Sequence, residues 1–173
     1  GENDSMKLTT YSDYALRSLI YLAVIPKDGE LANIDDIAHA YNISKGHLSK
    51  IIHQLGKLGY IQSVRGKGGG ICLAKDPSKI NIGKLIRHTE SDFGILQCLD
   101  DNSKNTNNKI SLVNISDDAS GCTISPACHL KGVFHKAMLA FVDVLDSHTL
   151  ADILVNDNEL LVLLDKNRDK TTK

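Results

Sequence analysis

A mainly helical chain with a small β wing, built as a helix-turn-helix followed by a long helix, is the fold class that three observations predict. Aliphatic residues are plentiful in the 173 positions, aromatics make up only 5% and Trp is absent, which favours a helical core of Leu, Ile, Val and Ala over a β-sandwich. Two short amphipathic stretches between positions 33 and 58 are separated by a tight turn. Two alternating runs then flank a cationic, glycine-rich tip.

The first element covers residues 9–24, where Leu16, Leu19, Ile20 and Ala23 recur at helical spacing. Pro26-Lys27-Asp28-Gly29 ends it. Asn33 reads as an N-cap with Asp36 three residues on, opening a short helix to about Tyr41. Asn42-Ile43 is a turn, and Ser44 caps a longer helix whose buried face is Leu48, Ile51, Ile52, Leu55 and Leu58 until Gly59 stops it. Residues 60–64 and 70–74 read as strands around Arg65-Gly66-Lys67-Gly68-Gly69, a hairpin tip of the kind that lets backbone approach a duplex.

Residues 80–90 form a further helix carrying Ile82, Leu85 and Ile86. Residues 100–121, rich in Asn, Asp and Ser, read as a loop. A long helix over residues 130–146 presents Val133, Ala137, Ala140, Phe141, Val144 and Leu145, a stripe suited to a dimer interface. Residues 149–154 and 159–164 are short apolar segments expected to close over that helix. Three regions result: 6–90 as the helix-turn-helix reader, 91–129 as a cysteine-bearing segment with a polar insertion, and 130–165 as the dimerisation helix with its C-terminal segments. Residues 1–5 read as a polar tail outside the fold.

Net charge is −1, but its distribution is uneven. Residues 44–75 hold six basic side chains (Lys45, Lys50, Lys57, Arg65, Lys67, Lys75) and no acid. That marks a local phosphate-binding face on an otherwise acidic body. A helix pair places its second helix in the major groove of double-stranded DNA. Ser44, Lys45, His47, Ser49, Lys50 and Gln54 occupy its exposed and N-terminal side, with Ser49 and Lys50 read as base contacts and Lys45 and Lys57 as phosphate contacts. Arg65 and Lys67 sit on the wing tip, Arg65 placed to enter a narrow minor groove. No apolar run approaches the length of a bilayer span and no leader pattern opens the chain, so a soluble cytoplasmic protein is expected.

Four cysteines in such a chain do not suggest a disulfide framework. Cys72, in an alternating run, reads as a packing residue. Cys98, Cys122 and Cys128 lie downstream of the reader, and thiolates suit iron–sulfur clusters or zinc. An enzyme using Cys128 as nucleophile, with His129 or His135 as base, lacks any recognisable oxyanion loop or third orienting group. The expectation is no enzyme.

Three motifs together resemble the Rrf2 family of winged-helix regulators. They are Lys7-Leu8-Thr9-Thr10-Tyr11-Ser12-Asp13-Tyr14-Ala15-Leu16-Arg17, Val64-Arg65-Gly66-Lys67-Gly68-Gly69-Gly70 and Ile124-Ser125-Pro126-Ala127-Cys128-His129-Leu130-Lys131. Within the family the chain is most similar to the nitric-oxide-sensing repressors. The resemblance implies a homodimer on a palindromic operator with one iron–sulfur cluster per subunit, 4Fe–4S in preference to 2Fe–2S, released from DNA when nitric oxide modifies the cluster. Carried over by position, its cysteine ligands are Cys98, Cys122 and Cys128, and a carboxylate from the partner's first helix matches Asp13. A sister branch with a 2Fe–2S cluster uses a histidine three residues after its last cysteine, where this chain has Lys131.

One departure is the 23 residues between Cys98 and Cys122, where the family has only a few. Lengthening a loop from about 5 to about 23 residues costs roughly 1.3 kcal/mol, small beside metal-ligand energies. The alternatives are a family regulator without a cluster, sensing thiols, metals or cysteine metabolism through the same cysteines or binding zinc structurally, and a 2Fe–2S regulator like that sister branch.

Overall fold

The computed structural model describes residues 7–25, 29–90, 123–124 and 127–169. Helix α1 (Thr10–Val24) starts where Thr9 accepts a hydrogen bond from Ser12 N. It buries Ala15, Leu19 and Leu22. Helix α2 (Ile34–Tyr41) and helix α3 (Lys45–Lys57) pack on one another and on α1. Asn42 between them takes a left-handed conformation, φ 54°, and donates to the His39 carbonyl, closing the turn.

Asn33 and Ser44 stand at the expected N-cap positions, but neither side chain makes a capping hydrogen bond. In α2 the acids Asp35 and Asp36 lie in the first turn, where negative charge offsets the free N–H groups. In α3 the first turn holds no acid and Ser44 is exposed.

Gly59, φ 77°, turns the chain from α3 into the sheet, a conformation that disfavours side chains bearing Cβ. Strands β1 (Ile61–Val64) and β2 (Gly70–Leu73) are antiparallel, with Ile61 opposite Leu73 and Val64 opposite Gly70. Ala32 adds a single bridge to Ile71, with both backbone hydrogen bonds made. Each strand is one residue shorter than the hydropathy pattern predicts, because Tyr60 N donates back to Leu55 O and only the bond from Ala74 N to Tyr60 O joins the two residues.

Helix α4 (Ile82–Thr89) is capped by Asn81, which accepts from Lys84 N. Its Leu85 and Ile86 close the core with Leu48, Leu55 and Ile80. Fully burying such a side chain is worth about 1.5–3 kcal/mol, so this cluster fixes the mutual placement of α1, α3 and α4.

The long helix α5 (His129–Asp146) lies along α4. Its last turn is tied to the reader. Asn81 Nδ2 donates to Asp146 O at 2.7 Å, Ile82 N to His148 O at 2.9 Å and Leu150 N to Ile80 O at 2.8 Å. Gly83 admits this approach; a Cβ there would stand 2.8 Å from Asp146 N.

Helix α6 (Asp157–Asp169) corrects the sequence expectation that the last segments close over the long helix. It packs against α2 and α1, and Leu164 enters the reader's core. Leu150, fully buried, likewise joins that core. These leucines are buried among the reader's apolar side chains, whereas Leu130, Val133, Phe141 and Val144 of α5 are exposed.

Candidate nucleic-acid interface and cysteine centre

Helix α3 presents Lys45, His47, Lys50, His53, Gln54 and Lys57 to solvent, while Leu48, Ile51, Ile52 and Leu55 anchor it from behind. His47, Lys50, Gln54 and Lys57 follow one another at spacings of three and four, so they share one face. Lys45 Nζ lies 2.7 Å from Asp35 of α2, an exposed pair across the helix-turn-helix. Ser49 is half-buried and its hydroxyl donates to the Lys45 carbonyl at 2.8 Å. The His47 ring meets the Tyr14 ring of α1 edge-on. Arg65 and Lys67 are exposed at the wing tip, where Gly66 and Gly68 adopt positive φ and Gly69 N closes the turn onto Gly66 O.

The wing is braced at its root. Tyr60 bonds through its hydroxyl to His88 Nδ1 at 2.8 Å, and Lys75 Nζ stands 5.1 Å from the centroid of the Tyr60 ring. Burial pushes the Tyr60 hydroxyl up to about 12, and burial together with Lys84 and Lys75 lowers the His88 imidazole from its usual range. Thus the strand pair is tied to the last turn of α4.

Asp13 is about half exposed on α1, 2.9 Å from Arg17, whose guanidinium lies 5.7 Å from the Tyr41 ring centroid. The Asp13 hydrogen bond raises the Arg17 pKa, and burial raises the Tyr41 hydroxyl to about 12. Glu90, buried at the end of α4, accepts from Thr9 N at 2.8 Å, and Ser12 shares a 2.6 Å hydroxyl contact with Thr89. The start of α1 is therefore fastened to the end of α4.

Cys128 is a half-buried free thiol at the N-cap of α5 and makes no capping hydrogen bond. Cys98 and Cys122 lie outside the described residues, and among the described residues no group of three His, Cys, Asp or Glu side chains is gathered as a metal site. Cys72, half-buried in β2 opposite Gln62, is also free. Sequence reading passed over Tyr14, Asp35, Tyr60 and His88. Their partners are brought in by tertiary packing, and spacing carries no signal of it.

A family profile for Rrf2, described as an iron-dependent transcriptional regulator, matches residues 8–156. The chain belongs to the Rrf2 family of transcriptional regulators. Among Rrf2-type relatives, the transcriptional regulator NsrR of Bacillus licheniformis is 47% identical over 159 residues, which cover 92% of this chain and 99% of that one. The solved structure of IscR from T. potens is similar at 27% identity and TM-score 0.63, over 90% of this chain and 91% of that chain. CymR, the global cysteine regulator of B. subtilis, is similar at 28% identity and TM-score 0.57, over 86% and 96% of the two chains. The expected helical fold with a β wing accordingly stands. Among the described residues no helix is long and apolar enough to cross a membrane.

Proposed function

We propose that this regulator is a cytoplasmic repressor that binds a palindromic operator in double-stranded DNA as a homodimer and senses nitric oxide through an iron–sulfur cluster. The likeness to NsrR over nearly the whole chain carries this reading. In it, residues 6–90 read DNA, residues 91–129 carry the cysteines, and the helix over 130–146 forms the dimer seam.

Ser44, Lys45, His47, Lys50 and Gln54 face the major groove, with Ser49 turned back on its helix. The free N–H groups of the first turn of α3 suit a phosphate. Arg65 and Lys67 bring the wing to the flanking groove. The seam rests on the two-faced character of α5. Met138 and Val142 are buried within the protomer, whereas Val133 and Val144 are 61% and 59% exposed on the far side, with Leu130 and Phe141 beside them.

The donor set fits a cluster. Cys98, Cys122 and Cys128 would hold it by thiolates, 4Fe–4S in preference to 2Fe–2S, with Asp13 of the partner subunit as the fourth ligand. Cys128 is free and half-buried at a helix start, where unsatisfied N–H groups favour negative charge. Such a cluster would supply iron chemistry open to nitric oxide, and the Asp13 carboxylate, a harder donor than the three thiolates, would be the ligand least well matched to iron. Asp13 can serve this role because its present partner, Arg17, is an exposed pair worth only about 0.2–1 kcal/mol. The Thr9–Glu90 and Ser12–Thr89 bonds hold the Asp13 turn against α4, so any displacement of that turn is felt by the reader. Half-site spacing is a rigid requirement of a dimer, and a small shift of one reader against the other weakens the grip.

Anaerobic purification, iron and sulfide analysis, and gel-shift titration with and without a nitric oxide donor test the proposal. Expected are a broad absorption band near 400 nm and loss of the DNA complex on nitric oxide. A colourless, iron-free protein whose DNA affinity ignores nitric oxide would leave the cluster-free alternative, to which the likeness to CymR lends support.

A further inference from the structure

An aromatic neighbour restrains one base-facing side chain of α3. His47 is exposed in its first turn, yet its imidazole packs against the edge of the Tyr14 ring, with centroids 5.4 Å apart and planes inclined at 66°. Edge-to-face pairs of this kind are a preferred arrangement of ring quadrupoles, so the contact selects one side-chain orientation from those an exposed histidine would sample. The next hydroxyl along the helix behaves differently. Ser49 is engaged by its own backbone at Lys45 O. A hydroxyl that bends back in this way is a poor donor to a base edge, whereas a restrained ring on the same face as Lys50 and Gln54 meets a base with less entropy left to lose.

Resting on the reading of α3 as the groove-entering helix, we propose that His47 is a base-reading residue and that Tyr14 is its positioning residue. The ring N–H of His47 is a donor, and the adjoining N7 and O6 acceptors of guanine in the major groove are the edge such a donor matches; adenine presents an amino donor beside its N7. Tyr14 does not touch DNA in this arrangement. It acts through the ring it steers. Because Tyr14 follows Asp13 in α1, it also gives the first helix a direct contact with the reading surface.

The test uses the full chain and a random-sequence duplex library, with selected sites sequenced at fixed salt. His47→Ala and Tyr14→Leu are expected to lose preference at the same G·C pair, by roughly five- to tenfold. The double variant should lose no more than either single one, and Tyr14→Phe should retain the wild-type profile because only the ring is used. A Tyr14→Leu profile identical to wild type, or a loss at a different base pair from His47→Ala, overturns the proposal. Absence of any sequence selection by the wild type would remove the groove-entering reading along with it, a result distinct from either.

A DNA-free measurement stands beside it. With ring-labelled histidine, the His47 proton signals, identified by their loss in His47→Ala, should show a ring-current shift that vanishes in Tyr14→Leu. Signals at free-imidazole positions in the wild type would overturn the positioning role even if Tyr14→Leu fails to fold.

Discussion

Replacing Gly83 by Ala sets two physical effects against each other. In an isolated helix the change stabilises by about 1 kcal/mol, since glycine loses more backbone entropy than alanine. In this protein the new methyl would overlap the Asp146 carboxylate and stand 2.8 Å from Asp146 N and 2.9 Å from its Cγ. The carboxylate can swing aside only by leaving Arg87, a partly exposed pair worth roughly 0.2–1 kcal/mol. The backbone nitrogen can retreat only if the last turn of α5 lifts. That movement stretches the Asn81–Asp146 and Ile82–His148 hydrogen bonds. Overpacking of this type costs about 1–3 kcal/mol. After the helix gain is subtracted, a net loss of up to about 2 kcal/mol is expected, or a fall in Tm of up to about 8 °C for a chain of this size. Urea unfolding at fixed protein concentration measures it, because association would otherwise shift the midpoint. Gly132→Ala, at a glycine of α5 whose added Cβ meets nothing within 4 Å, is the comparison and should stabilise. If Gly83→Ala also unfolds at higher urea than wild type, the close approach of α4 to α5 is not as described.

Further expectations concern the cysteines, the DNA face and pH. Cys98→Ala, Cys122→Ala and Cys128→Ala should each abolish iron loading on anaerobic reconstitution, while Cys72→Ala leaves it intact; full loading of Cys98→Ala would remove that residue from the ligand set. Arg65→Ala should weaken binding most at A·T-rich flanks and Lys57→Ala on all sequences alike, and equal losses on every duplex would sink the distinction. Tyr41 and Tyr60 ionise near 10 when unfolded and at about 12 in the fold. A raised folded pKa gives stability that is complete below pH 10 and lost as pH climbs towards 12. The urea midpoint should therefore drop across that window and drop less in Tyr41→Phe; a flat midpoint contradicts the burial of these hydroxyls.

Local chemistry made most elements readable. The stripe Leu48, Ile51, Ile52, Leu55 and Leu58 marks the inner side of α3 from spacing alone; the first four side chains are buried and Leu58 is half-buried against the same core. Gly66 and Gly68 of the wing stand where positive φ is needed. What spacing cannot supply is the identity of a neighbour. Leu164 is visibly apolar, but nothing in residues 159–164 tells whether it meets α5 or the reader, and it meets the reader. The same holds for Ser49, whose exposed helical position is legible while the bend of its hydroxyl to Lys45 O is not. Of the four suggested metal ligands, Cys98 and Cys122 lie outside the described residues, and their pairing with Cys128 and Asp13 rests on family resemblance.

The open face of α5 bears on how such a regulator would respond to its own abundance. The reader's core closes on Leu150 and Leu164 of the same chain, without Val133, Phe141 or Val144. Among the described residues, burial of this core therefore draws on no second copy. Should two copies pair weakly before meeting an operator with two half-sites, occupancy at low filling would rise with about the square of copy number. Substitutions on the free face would then tune the threshold at which the regulated genes switch while leaving each reader's base preference as it was.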